Sequence, residues 1–341
     1  MTTVPSSTSS FEGALAGRRW VRTWALAVLL VVSIVAAWEA AWRARGFQPS
    51  VSEDIGLWAL ERERADEGDG KATVIVGSSR VKTGIIPHAL AEATGWHPTI
   101  QLAINFSSPV LVLENLAADP RFHGRVIVDV APIILFNGVW PLENMVGGYL
   151  AYRDTERWSQ GIDTRLSVLV ESTLVLRLPE LSGRYLPATL WKGEMPPPQK
   201  FFDDRDRVTH MADSVAHEPA PAGDGGAIPL GAEGLEKLVA RLNVAIAGLR
   251  RNGGTAVFVE MPTSGAMAET EARLFPRAQY WDVFARNLDA PTVRIADVPE
   301  LHGFVPVDGS HLGYASAVEF SRALGPVLER VLAGSPARES R

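Results

Sequence analysis

Short apolar runs alternate with amphipathic helical patterns along most of the chain, and one much longer apolar stretch precedes them. The short runs are rich in β-branched residues and end at glycine or polar residues, which is typical of buried parallel strands. They occupy residues 72–77, 99–104, 126–130 and 256–261. Apolar positions at helical spacing occupy residues 87–94, 111–118, 235–250 and 315–332. This alternation predicts an α/β fold in which a parallel sheet is flanked by helices.

The long apolar stretch runs from Trp20 to Trp42 and is uncharged between Trp24 and Ala37. A helix of about 20 apolar residues matches a hydrocarbon core of roughly 30 Å, so residues 20–42 predict one transmembrane helix. Indole rings favour the membrane interface, and four tryptophans lie near the two ends of the stretch. They are Trp20, Trp24, Trp38 and Trp42.

The flanks of this stretch leave two interpretations of its topology open. Three arginines precede its uncharged part and two follow it: Arg18, Arg19, Arg22, Arg43 and Arg45. This small difference favours a cytoplasmic amino terminus only weakly, with residues 1–19 as a cytoplasmic tail in which residues 1–17 are disordered. Residues 35–37 also have the small side chains of a signal-peptide cleavage site. Either interpretation places the remaining chain outside the cytoplasm, which is the periplasm for a bacterial inner membrane protein.

Composition and pattern divide the remaining chain into a linker, one main domain and a tail. Residues 43–69 are charged enough for a linker or solvated helix between membrane and domain. The α/β domain is expected over residues 70–332, followed by a tail at 333–341. The pattern breaks between residues 137 and 231, where proline and glycine interrupt helix-like stretches. We therefore expect residues 137–231 to be an insertion that lies over one end of the sheet.

The net charge and the cysteine content limit which binding partners and metal sites the chain can have. The net charge is −6, but residues 1–45 carry +3, which leaves −9 for the rest of the chain. An acidic domain makes nucleic acid an unlikely partner. The chain has no cysteine, so disulfides and thiolate metal sites are excluded.

Two short polar motifs lie at the two ends of the predicted core. Gly77-Ser78-Ser79 follows the first strand directly, which places a hydroxyl at the carboxyl edge of the sheet, where open α/β sheets bind ligands. Asp308 and His311 precede the last helix. A serine is a weak nucleophile unless a base lies within hydrogen-bond reach and a third group orients that base. The motifs therefore indicate Ser79 as nucleophile, His311 as base and Asp308 as the orienting group.

At these residues the chain resembles the SGNH hydrolase superfamily, also called GDSL lipases or esterases. That family has its nucleophile in a Gly-Asp-Ser motif after the first strand and an Asp-x-x-His pair before the last helix. Here Ser78 replaces the Asp of the first motif, while Asp308-x-x-His311 matches the second motif fully. The resemblance covers residues 70–135 and 250–330 and implies a flavodoxin-like three-layer fold with this triad.

The chain departs from the family in the residues that bind the oxyanion. After the third predicted strand it has Ala131-Pro132, where the family has an asparagine. Asn105 and Ser107 follow the second strand and are expected to donate hydrogen bonds instead. Arg80, beside the nucleophile, is expected either to be salt-bridged or to bind an anionic group of the substrate.

These observations lead to two hypotheses for the function. The first is a membrane-anchored serine esterase or O-acyltransferase that acts on acyl esters, and the resemblance favours those of a surface polysaccharide within envelope machinery. Water and a sugar hydroxyl resolve an acyl-enzyme alike, so both reactions stay open. No metal or other cofactor is implied. The second hypothesis is a catalytically silent SGNH-like domain that binds polysaccharide or scaffolds an envelope assembly.

Overall fold

The computed structural model describes residues 9–67, 69–138, 142–155, 158–182, 184–196, 201–204, 206–211 and 226–334. The chain divides into two compact units. The anchor unit comprises residues 1–50 and 173–199, and the α/β unit comprises residues 51–172 and 200–341.

The anchor unit is built around one long helix, α1 (Ser9–Arg43). Its segment Trp20–Arg43 is long and apolar enough to cross a membrane, as the apolar stretch predicts. The helix already includes residues 9–19, because the alanine, leucine, glutamate and arginine there are good helix formers. The disorder predicted for residues 1–17 is therefore wrong for residues 9–17, and residues 1–8 lie outside the described residues.

The α/β unit contains a parallel sheet and a separate hairpin. Its strands are β1 (Thr73–Val76), β2 (Thr99–Gln101), β3 (Arg125–Asp129), β4 (Phe201–Asp203), β5 (Thr209–Met211), β6 (Thr255–Glu260) and β7 (Thr292–Arg294). The sheet has five parallel strands in the order β2-β1-β3-β6-β7, and β4 pairs antiparallel with β5. The four predicted strands are confirmed. β7 escaped prediction because it has only three residues and the outer two are polar.

Helices surround this sheet. They are α2 (Ile55–Arg64), α3 (Ser79–Gly84), α4 (Pro87–Thr94), α5 (Val110–Ala118), α6 (Pro132–Leu135), α7 (Leu142–Thr155), α8 (Trp158–Glu171), α10 (Ala232–Arg251), α11 (Gly265–Leu274), α12 (Trp281–Asn287) and α13 (Tyr314–Ala333). The helix between α8 and α10, α9 (Leu186–Trp191), belongs to the anchor unit.

The sheet has an apolar core on each face, because successive strand residues point to opposite sides. Val74 and Val76 of β1 pack in one cluster with α5 and α10. Ile75, between them, packs in a second cluster with α4 and α13. The predicted α/β fold, a parallel sheet flanked by helices, is therefore confirmed.

The segment predicted as a linker, residues 43–69, contributes a buried helix to the α/β unit. Trp58 of α2 is fully buried and donates its indole N–H to the Leu102 carbonyl at 3.0 Å. Arg62 is also buried and pairs with Asp66 and Asp119. The charges that suggested a solvated linker are thus used in internal ion pairs, so that prediction is corrected.

The predicted insertion, residues 137–231, is not one structural piece. Helices α7 and α8 and the β4–β5 hairpin belong to the α/β unit, whereas residues 173–199 belong to the anchor unit. The hairpin does lie at the carboxyl edge of the sheet, since Arg207 in its turn donates to the carbonyls of Gln101 and Ala103. Residues 212–225 lie outside the described residues, as do residues 335–341 of the predicted tail.

Candidate active site

A tight turn connects β1 to α3 and presents Ser79. Gly77 has a φ of +146°, and a Cβ atom there would lie 2.1 Å from Cβ of Asp129, so only glycine fits. Ser78 caps α3, because its hydroxyl accepts a hydrogen bond from the Arg80 N–H. Gly77 therefore fixes the direction in which Ser79, the first residue of α3, leaves the strand.

A carboxyl group lies beside this turn even though Ser78 replaces the family's aspartate. Asp129, the last residue of β3, accepts the Ser78 hydroxyl at 2.5 Å and the Ser78 backbone N–H at 3.0 Å. Burial raises the pKa of Asp129, although the bonds from Ser78 and the charge of Arg80 oppose this. The neighbouring strand thus supplies a carboxyl that the motif itself lacks.

The structure brings Ser79, His311 and Asp308 together in one hydrogen-bonded chain. Nε2 of His311 lies 2.8 Å from Oγ of Ser79, and Nδ1 lies 2.8 Å from Oδ2 of Asp308. Oδ1 of Asp308 accepts the backbone N–H groups of Ser310 and His311 at 2.9 and 2.7 Å. Both oxygens of the carboxylate are therefore bound, which fixes its plane relative to the imidazole.

The electrostatics of the three residues suit a Ser-His-Asp arrangement. Burial opposes ionisation of Asp308, but the bonds from His311 and the two backbone N–H groups outweigh it and lower the pKa to about 2. Asp308 is therefore ionised throughout the physiological range. Ser79, Asp308 and His311 are each only partly buried, so a substrate has access to them.

The predicted substrate ligand Arg80 has another role. Its side chain is 4% exposed, and its two terminal nitrogens bind the carboxylate of Glu271 at 3.1 and 2.8 Å. Its Nε donates to the Ser310 hydroxyl at 3.1 Å. Each nitrogen of its guanidinium bonds to a protein atom, so the salt-bridged alternative is the one that the structure shows. Arg80 connects α3 to the loop that carries Asp308 and His311.

The two predicted oxyanion donors differ in what they offer. Ser107 is buried, and its hydroxyl bonds to the carbonyl oxygens of Ile104 and Gly77, so it has no donor for a substrate and that prediction is wrong. Asn105 donates one amide N–H to Oε2 of Glu53 at 2.9 Å. An amide carries two such donors, which leaves one on Asn105.

A buried charge network beside Asn105 was not predicted. Glu53 binds Lys82 at 2.8 Å and Arg207 at 3.0 Å, and Lys82 also binds Asp203 at 3.3 Å. Burial opposes ionisation of Glu53, but the two cations outweigh it and lower its pKa. Lys82 lies one helical turn after Ser79, so the network links the segment before α2, the hairpin and α3. No sequence motif contains these residues, because they come from three distant segments.

A cavity of about 570 Å³ opens on the other side of the site. Apolar side chains of Phe136, Met261 and Phe304 line it, together with the carboxylates of Glu260 and Glu271. Its wall adjoins the triad, since Ser264 in that wall donates its N–H to the Gly309 carbonyl at 3.0 Å.

Glu260 is the titratable group of this cavity. It ends β6, and its two carboxylate oxygens share the single Nε–H of Arg294, its register partner on β7. Burial raises its pKa to about 7, with Arg294 opposing and Glu271 adding to the rise. Glu260 therefore changes its charge near neutral pH.

Two comparisons, one with protein-family models and one with curated proteins, give no match for this chain. Its function is therefore argued from the geometry described above.

Proposed function

We propose that this chain is a membrane-anchored serine acyl-hydrolase or acyltransferase of the SGNH type, with Ser79, His311 and Asp308 as its triad. The observation that carries the proposal is the Ser79–His311 hydrogen bond, which joins residues 232 positions apart in the chain. Each motif alone is a common helix cap. A contact between them at the carboxyl edge of the sheet is the arrangement that nucleophilic catalysis requires.

The geometry supports a two-step acyl transfer. Nε2 of His311 takes the proton of the Ser79 hydroxyl while Oγ attacks the ester carbonyl carbon. The resulting imidazolium gives that proton to the leaving alcohol as the ester bond breaks, and an acyl-enzyme remains. Water or another hydroxyl then repeats the steps in reverse, which frees Ser79 and releases an acid or a new ester. Asp308 holds the imidazole orientation and stabilises its positive charge.

Two donors are proposed for the oxyanion that forms in each step. The N–H of Ser79 is at the first position of α3, where the helix itself provides no acceptor. The second is the remaining amide N–H of Asn105, whose orientation is fixed by its bond to Glu53. A preorganised donor of this kind typically contributes about 2.7–4 kcal/mol to transition-state stabilisation.

The cavity beside the triad supports an uncharged substrate group. Its carboxylates already face cations, Glu260 facing Arg294 and Glu271 facing Arg80, so neither attracts a charged ligand strongly. Apolar and aromatic walls with a few hydrogen-bond acceptors suit an acylated sugar. We therefore place O-acyl esters of a surface polysaccharide first among substrates, with the α/β unit outside the cytoplasm.

A second candidate function is a silent SGNH-like domain that binds polysaccharide or scaffolds an envelope assembly. The observation that favours it is Ala131-Pro132 after β3, where the family has its oxyanion asparagine. In that case the hydrogen bonds of the triad persist as a structural remnant.

Reaction with a fluorophosphonate probe tests the two candidates, because the probe labels only an activated serine. We expect the purified chain to be labelled, the labelled peptide to contain Ser79, and both Ser79→Ala and His311→Ala to abolish labelling. Ser78→Ala is the matched control, since Ser78 faces Asp129 and should leave labelling largely intact. Absence of labelling in the folded wild-type chain would favour the silent domain.

A further inference from the structure

The end of helix α1 binds a second segment of the anchor unit. We call residues 173–196 the collar segment. The Glu39 carboxylate accepts the backbone N–H groups of Val175 and Leu176 at 3.0 and 2.8 Å, and Arg43 donates to the Thr173 carbonyl at 2.8 Å. The first turn of the collar segment is therefore attached to the last two turns of α1.

An apolar cluster holds the same two parts together. Trp42 and Phe47 pack against collar side chains that are buried, with Trp38 at the edge. The collar members are Val175, Leu178, Leu181 and Leu186. Trp42 is thus inside the protein, not at the membrane interface where its position near the end of the apolar stretch predicted it. The interior of the collar segment is filled by these residues.

Large apolar side chains on the outer face of the collar segment remain exposed. They are Leu176, Tyr185, Leu190, Trp191 and Met195. Trp191 is the extreme case, with 93% of its surface exposed. Apolar residues concentrated on one short segment mark a surface that meets another phase or partner. Exposed charges of both signs accompany them: Arg177, Glu180, Arg184, Lys192 and Glu194.

The position of Glu39 identifies what covers this surface. Residues 24–37 are uncharged, and Glu39 is the first charged residue after them, so α1 leaves the hydrocarbon near Glu39. Because Glu39 binds Val175 and Leu176 directly, the collar segment begins at that depth. Tyrosine and tryptophan rings favour the headgroup layer. The exposed surface of α1 from Trp20 to Ile34 is also apolar, so the collar surface continues a surface that faces lipid.

We propose that the collar segment lies in the headgroup layer of the membrane that α1 crosses, with Tyr185, Leu190, Trp191 and Met195 in contact with lipid. This inference rests on the proposed membrane anchoring. The collar segment then adds a second contact with the membrane interface where α1 leaves the hydrocarbon. This second contact fixes the tilt and depth of α1.

The absence of cysteine in the chain allows a direct test with single-cysteine variants. Trp191→Cys, Leu29→Cys and Val244→Cys of the full chain are labelled with an environment-sensitive fluorophore and placed in phospholipid nanodiscs, one chain per disc. Leu29 lies within the apolar span, and Val244, 72% exposed on α10, is the control for a large exposed apolar residue outside the collar. Lipids with a quencher near the headgroup or deep in the acyl chain then report depth.

We expect the label at position 191 to lose most of its fluorescence with the shallow quencher, the label at 29 with the deep quencher, and the label at 244 with neither. If position 191 behaves as position 244 while position 29 is quenched, the anchor stands and the collar inference fails. If position 29 is not quenched, anchoring fails and the collar inference with it. The label at 191 can also be blue-shifted without being quenched by either lipid. If its emission then changes when two chains are placed in each disc, a second copy covers this surface and the inference is overturned.

Discussion

The site has two flanks that use buried carboxylates in opposite ways. On the β2 side, Glu53 faces two cations, Lys82 and Arg207, and its pKa is lowered. On the β6 side, Glu260 faces mainly one, Arg294, and burial raises its pKa to about 7. Both groups are largely buried near the carboxyl edge of one sheet. The number of facing cations therefore decides whether desolvation or attraction prevails.

From this difference we infer different roles for the two flanks of Ser79, oxyanion binding on the β2 side and substrate contact on the β6 side. A permanently charged network on the β2 flank holds Asn105 rigidly, as an oxyanion donor requires. The β6 flank combines the cavity with a carboxyl that titrates near neutrality, which suits contact with uncharged substrate groups. The proposed triad lies between the two flanks, so the ester turnover proposed for it is the measure of a change in either flank.

Removal of the triad should have the largest effect. We expect Ser79→Ala and His311→Ala each to reduce ester turnover by about 10⁶-fold, because the two residues act as one unit. The double variant should be scarcely slower than either single variant. Turnover of p-nitrophenyl acetate by the detergent-solubilised chain measures this. Multiplicative losses in the double variant would show that the two residues act independently.

Asp308→Asn should be the next most severe change. An amide has only one acceptor oxygen, and the backbone N–H groups of Ser310 and His311 hold that oxygen. The NH2 group then faces Nδ1 and donates to it, which favours the wrong imidazole tautomer. The same exchange in a serine protease costs about 10⁴-fold in kcat. We expect a similar loss, with KM little changed and fluorophosphonate labelling slowed. A variant at wild-type rate would mean that Asp308 acts only as the cap of its own loop.

The β2 flank should respond in kcat. Loss of one oxyanion donor typically reduces kcat by about 10²–10³-fold, so Asn105→Ala is expected to fall in that range with KM nearly unchanged. Ser107→Ala, in the same loop, is the matched control because its hydroxyl bonds to carbonyl oxygens away from any substrate. If both variants lose activity equally, the loop matters through its fold and Asn105 is not a donor.

The features that could be predicted from the sequence are those that depend on a few consecutive residues. Four of the five strands follow from runs of β-branched residues, and the triad follows from two short motifs, each confined to a few consecutive residues. The turn at Gly77 is another such feature, because a Gly-Ser pair directly after a strand predicts that the chain turns there. The catalytic role of the triad is still a prediction.

The remaining features depend on contacts between distant segments. Arg80 looked available to a substrate because its partner Glu271 lies 191 residues away and no motif marks it. Ser107 failed for a related reason, since only the folded loop shows its hydroxyl against backbone carbonyls. The charged segment at 43–69 had the composition of a linker, and its burial becomes visible only when the acids that pair with Arg62 are in place.

The smallest predicted effect contrasts the two flanks through pH. The folded-state pKa of Glu260, about 7, lies above the ordinary value of 4.5, so the folded state binds this proton more tightly than the unfolded chain. Its contribution to stability is full below pH 4.5 and is lost as the pH rises through 7. The gap corresponds to about 3 kcal/mol of unfolding free energy. Glu53 has the opposite sign, because its lowered pKa adds stability above pH 4.5 that is lost on acidification.

Thermal unfolding of the full chain between pH 3 and 8 tests both signs with two variants. Glu260→Gln keeps the shape of the side chain without its charge, so the decline in midpoint between pH 5 and 8 should flatten. Glu53→Gln should leave that decline in place and remove part of the loss below pH 4.5, at the cost of a lower midpoint near neutrality because Lys82 and Arg207 lose a counter-charge. If both variants change the midpoint in the same pH range, the pKa values of Glu260 and Glu53 are not shifted in opposite directions. The Arg294→Met variant sharpens the result, since removal of the main cation that faces Glu260 should move its decline to still higher pH.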